Sequence, residues 1–79
     1  MIATIDEPRE TLMWTADELA DQMKVSTKTI NRMDRGEKLP KPIRFGTSRR
    51  WLVPEIEAWL AEGGPTRARW NVRRKEVTW

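Results

Sequence analysis

Apolar residues recur at helical spacing in one short segment near the start of the chain. The segment contains Ala16, Leu19, Ala20 and Met23. The last three follow the first at distances of three, four and seven positions, which places all four side chains on one face of a helix. Thr15 and Glu18 have the spacing of a capping box, in which each side chain bonds the backbone amide of the other residue. The pattern predicts a first helix over residues 16–23, preceded by a short strand or clamp at residues 12–14.

A second helix is predicted directly afterwards, over residues 27–35. Ser26 is a favourable N-cap, and Gly36 suits the left-handed position that follows a last helical turn. Only Ile30 and Met33 are strongly apolar here, so the helix should bury a narrow edge and expose a polar, basic surface. Two short helices joined by a brief turn, with the second one basic, are typical of a helix-turn-helix, although other helical hairpins share the pattern.

A β-hairpin is predicted next. The two prolines at positions 40 and 42 exclude a helix there, because they lack backbone donors and push their predecessors toward extended geometry. Ile43 and Phe45 alternate with polar residues, and a polar turn over residues 46–50 leads to the apolar Trp51. The turn should carry two arginines and two hydroxyl groups at its tip.

A third helix is predicted from Pro54, which suits a first turn, to the glycines at positions 63 and 64. Together the elements predict a mainly α fold with a small β-hairpin, three short helices plus the hairpin, over residues 12–63. The predicted core comprises Leu19, Met23, Val25, Ile30, Met33, Phe45, Trp51, Ile56, Trp59 and Leu60.

The two flanking segments are expected to lie outside that core. Residues 1–11 are polar and aperiodic, which predicts a flexible N-terminal arm. Residues 64–79 form a basic, Trp-containing tail beyond a Gly-Gly-Pro hinge, and we expect the fold not to require them. The tail is open to three interpretations: an arm on nucleic-acid phosphates, a docking segment for a protein partner, or an extension without function. Its candidate contacts are Arg67, Arg69, Trp70, Arg73 and Arg74.

Composition narrows the classes of function. A chain of 79 residues fits one small domain and excludes a doubly wound cofactor-binding domain. The absence of Cys and His excludes disulfides, thiol or imidazole catalysis and thiolate–imidazole zinc sites. No motif joins a nucleophile to a base, so we expect neither an enzyme nor a cofactor or metal. No apolar run approaches the ~20 residues that span a bilayer, so we expect a cytoplasmic protein without a membrane partner.

The net charge of +3 is unevenly distributed along the chain. Residues 1–23 have a net charge of −5, residues 24–50 of +7, residues 51–63 of −3 and residues 64–79 of +4. A central basic block followed by a basic tail favours a polyanionic partner such as nucleic acid, whereas a merely solvated basic face is the alternative. The opposed blocks would also allow neighbouring copies to associate head to tail on DNA.

The second predicted helix supplies most candidate nucleic-acid contacts. With Ile30 and Met33 facing inward, the outward set is Thr27, Lys28, Asn31, Arg32 and Arg35. Asn31 has the groups for a bidentate pair with adenine, and Arg32 or Lys28 for guanine. Arg35 suits a phosphate or the helix C-terminus. Ser26 and Thr27 suit a phosphate at the helix start, and Ser26 also suits a plain N-cap.

The predicted hairpin adds Lys41, Thr47, Ser48, Arg49 and Arg50 as candidate contacts. Neighbouring side chains on a strand point to opposite faces, so only one of the two arginines needs to face DNA. We expect Arg49 to contact the nucleic acid and Arg50 to pair with an acid such as Glu55 or Glu57.

Five blocks of the chain resemble the AlpA-like and excisionase-like winged-helix family, whose small members regulate prophages and other mobile elements. The blocks cover residues 12–20, 25–32, 41–46, 49–51 and 56–60. The chain departs from the family pattern at Val53, where a polar residue is more usual, and in its tail.

The resemblance implies a MerR-like winged helix-turn-helix, with the second helix in the major groove and the hairpin as a wing on the neighbouring backbone or minor groove. It also implies a bacterial or phage-encoded protein that binds double-stranded DNA. Such a protein would be an excisionase, or recombination directionality factor, that biases an integrase toward excision. The alternative is a transcription regulator of prophage or integrase genes.

Overall fold

Four helices and three short strands follow one another along residues 12–77 and 79, the part of the chain that the computed structural model describes. The strands are β1 (Met13–Trp14), β2 (Ile43–Phe45) and β3 (Ser48–Leu52). The helices are α1 (Ala16–Met23), α2 (Thr27–Arg35), α3 (Val53–Ala61) and α4 (Arg67–Arg73). They form a small α+β domain. The predicted arm at residues 1–11 lies outside the described residues.

The three strands form an antiparallel sheet in the order β1-β3-β2. Trp14 of β1 pairs with Trp51, and Phe45 of β2 pairs with Ser48. The hairpin between β2 and β3 has a turn of only two residues, Gly46 and Thr47, and Gly46 has a positive φ of 66°. Such tight turns require a left-handed backbone that glycine adopts without strain. The predicted turn over residues 46–50 is therefore too long, and its two arginines lie within β3 instead of at the tip.

The predicted starts of α1 and α2 are confirmed, whereas α3 begins at Val53, one residue before the predicted Pro54. The Thr15 hydroxyl accepts from the Glu18 amide at 3.1 Å, and the Thr15 amide donates to the Glu18 carboxylate at 2.9 Å, which completes the capping box of α1. The Ser26 hydroxyl accepts from the Thr29 amide at 3.1 Å and caps α2.

The end of α2 differs from its prediction. Gly36 has a φ of −86°, and the left-handed residue is Glu37, with a φ of 57°. The Lys38 amide then donates to the Met33 carbonyl at 2.8 Å, and the Glu37 amide to the Asp34 carbonyl at 3.1 Å. These two bonds form a Schellman motif with Glu37 in the position for which the sequence favours glycine.

The core lies between the helices and the inner face of the sheet. Its buried members are Leu19, Ala20, Ile30, Leu39, Trp51, Ile56, Trp59 and Trp70. Met23 and Met33 are half-buried against them. Three predicted core residues are instead exposed, namely Val25, Phe45 and Leu60.

Position along each element explains the three exceptions. Val25 lies in the turn between α1 and α2, and Phe45 ends β2 opposite the exposed Ser48. Helix α3 buries Val53, Ile56 and Trp59, which are three positions apart, and Leu60 lies off that row.

The C-terminal segment belongs to the fold, so the prediction of a separate tail with all core residues before it is wrong. Residues 67–73 form α4, capped by Thr66, and Trp70 on this helix is fully buried. Its indole nitrogen donates to the buried Glu55 carboxylate at 2.9 Å. The chain turns back because the Trp59 indole donates to the Pro65 carbonyl at 2.8 Å and the Gly64 amide to the Trp59 carbonyl at 3.0 Å. The predicted hinge is thus packed against α3.

Candidate nucleic-acid interface

One side of α2 carries three exposed cations. Lys28, Arg32 and Arg35 follow each other at spacings of four and three residues, which aligns them along a single helical face. Ile30 is fully buried on the opposite side, against the core. The helix therefore presents a basic edge to solvent, as the sequence predicts for these three residues.

The hydroxyl groups at the start of α2 are bonded within the protein. Thr27 donates from Oγ1 to Oδ1 of Asp17 on α1 at 2.9 Å. Thr29 Oγ1 and Ser26 Oγ lie 3.0 Å apart and share a hydrogen bond. Of these candidate contacts, Ser26 is exposed and Thr27 is half-buried. The first turn of α2 is thereby anchored to α1 and to its own cap.

Arg49 connects the hairpin to α2. Its guanidinium lies 2.7 Å from the Asp34 carboxylate and also donates to the Asn31 side-chain oxygen. The same group lies over the Trp51 ring, 5.4 Å from its centroid. Arg49 is therefore directed toward the body of the domain, whereas the sequence analysis expects it to contact nucleic acid from the hairpin, and that contact stays a prediction.

Arg50 lies on the other face of β3. For this residue the sequence predicts a partner in Glu55 or Glu57, but its guanidinium instead donates to the Arg49 carbonyl at 3.0 Å. The Glu55 carboxylate accepts a hydrogen bond from the Trp70 indole instead. Alternation along β3 places the two arginines on opposite faces of the strand, as predicted, and it is Arg49 that pairs with an acid.

Asp34 binds a second arginine from the C-terminal helix. Its other carboxylate oxygen lies 2.7 Å from the Arg67 guanidinium, which also donates to the Leu39 carbonyl at 2.8 Å. The three side chains retain only 23% (Arg49), 11% (Asp34) and 17% (Arg67) of their exposure. Asp34 thus joins α2, β3 and α4 in one partly buried ion-pair network.

A polar groove of about 540 Å³ lies between the end of α2 and the hairpin. Its lining residues are Asn31, Asp34, Arg35, Glu37, Lys41, Pro42, Arg44, Arg49 and Arg67. Five of these carry a positive charge and two a negative charge, and the negative Asp34 already binds two arginines. Arg35, Lys41 and Arg44 are exposed at the groove, which can therefore accept an anion such as a phosphate group.

The far end of the hairpin is small and polar. Thr47 lies in the turn and Ser48 begins β3, and both are exposed next to Phe45, which retains 54% of its exposure. Arg50 is half-buried two residue pairs further from the tip, opposite Ile43. Thr47, Ser48 and Arg50 therefore lie on the hairpin, and Lys41 lies two residues before its first strand.

Most predicted contacts of the C-terminal segment have intramolecular partners. Arg73 lies 2.8 Å from Glu62 and 3.0 Å from Glu76, and its hydrogen bond with Glu62 raises the pKa of the guanidinium above its ordinary value. Arg74 lies 3.6 Å from Glu55 and stacks 5.2 Å from the Trp79 ring centroid.

One of the predicted contact residues in the C-terminal segment is fully buried. Trp70 has no exposed surface, so its prediction as a contact for DNA or a partner is wrong. Arg67 binds Asp34 and the Leu39 carbonyl, while Arg69 remains exposed on α4. Helix α4 therefore acts first as a structural element of the domain.

Two residues of this region are absent from the sequence-based candidates. Arg44 alternates with Ile43 and Phe45 in β2, and this alternation alone places it on the groove face. Asp34 is the sole acid in α2. Its position among several cations in the sequence indicates that it could pair with one of them.

Searches among known proteins add no further constraint to this picture. No family model, no curated protein and no solved structure matches this chain. Within residues 12–77 and 79, no helix has the length and apolarity to cross a membrane. The same part of the chain contains no group of three or more acidic, His or Cys side chains arranged to hold a metal ion.

Proposed function

We propose that the protein binds double-stranded DNA through α2 and the β2–β3 hairpin. In this proposal α1 and α2 form a helix-turn-helix, α2 is the recognition helix and the hairpin is the wing of a MerR-like winged helix-turn-helix. The observation that supports it most directly is the row of exposed cations on α2, Lys28, Arg32 and Arg35, beside a groove lined mainly by basic residues.

The dimensions of this surface suit a duplex. An α-helix fits the major groove, and the seven residue steps from Lys28 to Arg35 advance by about 10 Å, or roughly three base-pair steps. The groove with Lys41 and Arg44 adjoins the end of α2, where a phosphate backbone flanking the major groove would pass. Arg50, Thr47 and Ser48 would contact the backbone or minor groove further along.

The role proposed for this DNA binding is that of an accessory factor in site-specific recombination. An excisionase, or recombination directionality factor, organises DNA near an attachment site and biases an integrase toward excision, and it needs no catalytic group of its own. The alternative is a transcription regulator of prophage or integrase genes that uses the same surface. Both roles rest on the resemblance of the five sequence blocks and would operate in the cytoplasm of a bacterial cell.

Association between copies on DNA is part of the proposal. Asp17, Glu18 and Asp21 are exposed on α1, while the exposed cations of α2 and the hairpin lie on later elements. In a head-to-tail arrangement, the acidic α1 of one copy would face the cations of its neighbour. This arrangement requires direct repeats in the DNA site.

The first test is duplex binding by a charge-neutralised variant. Replacing Lys28, Arg32 and Arg35 together by Gln should abolish specific binding in fluorescence anisotropy. The matched control replaces three exposed cations elsewhere, Lys24, Arg69 and Lys75, and should retain most of the affinity. Equal losses in both variants would contradict an interface on α2.

The second test separates the two roles. An excision assay with the cognate integrase should respond to the protein if it is a directionality factor. A promoter reporter without integrase should respond if it is a transcription regulator. Footprinting on the same DNA gives the site and the orientation of its repeats.

A further inference from the structure

The polar side chains of α2 fall into two groups, those hydrogen-bonded within the protein and those exposed to solvent. Four of them carry an oxygen that is already hydrogen-bonded within the protein, Thr27 as a donor and Asn31 and Asp34 as acceptors. These are Thr27 with Asp17, Thr29 with Ser26, Asn31 with Arg49, and Asp34 with Arg49 and Arg67. The three exposed side chains, Lys28, Arg32 and Arg35, have donors only.

Asn31 is the residue for which this division matters most. A bidentate pair with adenine needs one acceptor for the N6 amino group and one donor for N7. The acceptor of Asn31 is its Oδ1, which receives a hydrogen bond from Arg49 while Arg49 is held by Asp34. Asn31 is also half-buried. It is therefore committed to positioning the hairpin against α2.

We infer that α2 reads only hydrogen-bond acceptors, so that the DNA target presents guanines to Lys28 and Arg32 and no adenine to Asn31. This inference rests on the proposed function, because it specifies the sequence that the same surface recognises. Guanine offers two acceptors, O6 and N7, in the major groove, and arginine or lysine binds both. Adenine and cytosine each present an amino donor there, for which the exposed face of α2 has no matching acceptor among its three cations.

Helix geometry fixes the separation of the two guanines. Lys28 and Arg32 are four residues apart, which is an advance of about 6 Å along the helix axis. Base pairs follow at about 3.4 Å, so the two contacts fall roughly two base-pair steps apart. Arg35 lies at the groove with Lys41 and Arg44, and it completes the row as a phosphate contact.

The experiment is selection from a library of DNA duplexes with a randomised centre, using the full chain. The inference predicts enrichment of guanine at two positions about two steps apart. It further predicts that Arg32→Gln replaces one guanine by adenine, because glutamine supplies both a donor and an acceptor. Asn31→Ala should leave the enriched sequence unchanged.

A measurement on the DNA avoids any effect of substitutions on folding. Replacing the guanine assigned to Arg32 by 7-deazaguanine removes the N7 acceptor and should weaken binding about tenfold. The same replacement at a guanine outside the site is the control and should leave the affinity unchanged. Enrichment of an adenine whose preference disappears in Asn31→Ala would overturn the inference, and so would indifference to 7-deazaguanine. Failure of the unaltered protein to bind any duplex would instead overturn the proposed function.

Discussion

The Trp70 indole donates its hydrogen to the Glu55 carboxylate across 2.9 Å, and both side chains are buried. The bond joins α4 to α3 and supplies the partner that a buried carboxylate requires. Arg74 lies 3.6 Å from the same carboxylate and adds an ion pair at its edge. The C-terminal segment therefore completes the core instead of extending from it.

Loss of the Trp70 side chain should destabilise the domain severely. Trp70→Ala removes a fully buried ring and is expected to lower the free energy of unfolding by about 3–5 kcal/mol. A domain of this size has a total free energy of unfolding of roughly 4–12 kcal/mol, so the variant should lose a large fraction of its stability. Urea unfolding followed by circular dichroism measures the effect.

The milder Trp70→Phe isolates the hydrogen bond. It keeps most of the ring volume and leaves Glu55 without its indole donor, which should cost about 1–3 kcal/mol. Trp79→Phe is the matched control because Trp79 is exposed, and it should change stability little. A Trp70→Ala variant as stable as the unaltered protein would disprove the role of α4 in the core.

Asp34→Asn should lower stability through the loss of two ion pairs. The substitution keeps the side-chain shape but removes the charge that Arg49 and Arg67 share, and Asp34 retains only 11% of its side-chain exposure. The expected cost is about 1–3 kcal/mol in urea unfolding. The control is Glu37→Gln, which removes an exposed carboxylate from the same groove. Equal effects of the two substitutions would argue against a specific network.

Arg49 and Arg50 should respond differently to truncation. Arg49→Ala removes the contacts to Asp34 and Asn31, so its main expected effect is a loss of about 1.5–3 kcal/mol of folding stability. Arg50→Ala should leave stability nearly unchanged and weaken duplex binding. Unfolding and anisotropy measurements on both variants provide the comparison. Reduced duplex affinity in Arg49→Ala, without reduced stability, would contradict the inward role of Arg49.

Duplex binding should depend steeply on salt. Apart from Lys24, which serves as a control position, and Arg49, which is paired with Asp34, the exposed or half-buried cations of the central block are Lys28, Arg32, Arg35, Lys38, Lys41, Arg44 and Arg50. With two of them on bases, about five remain for phosphates, so the logarithm of the binding constant should fall against the logarithm of salt concentration with a slope of about −4 to −5. A slope shallower than about −2 would exclude a phosphate-tracking surface.

Local signals account for what the sequence predicts well. The starts of α1 and α2 follow from Thr15, Glu18 and Ser26, whose bonding partners lie within three residues. The outward position of Arg32 follows in the same way from its spacing to Ile30, since helical periodicity alone separates the two sides of α2.

Features that depend on distant partners were predicted less well. The sequence predicts Phe45 as a core residue from its apolar character, yet its position at the end of β2 leaves it exposed. Arg49 turns inward because Asp34 stands 15 residues earlier, and no local pattern reveals that pair. Trp70 was assigned to a tail since α4 contains too few apolar residues to show a period, and only Glu55 and the core explain its burial.

The pairing of Met13 with Leu52 has a consequence for the order of folding. The chain between these two residues contains α1, α2 and the β2–β3 hairpin, and most of their mutual contacts join the sequence neighbours α1 to α2 and β2 to β3. Such local units form early, whereas closing a long loop carries an entropy cost that only later contacts repay. We therefore expect β1 to join the sheet after the transition state. Met13→Ala should then accelerate unfolding in stopped-flow experiments while leaving the refolding rate almost unchanged.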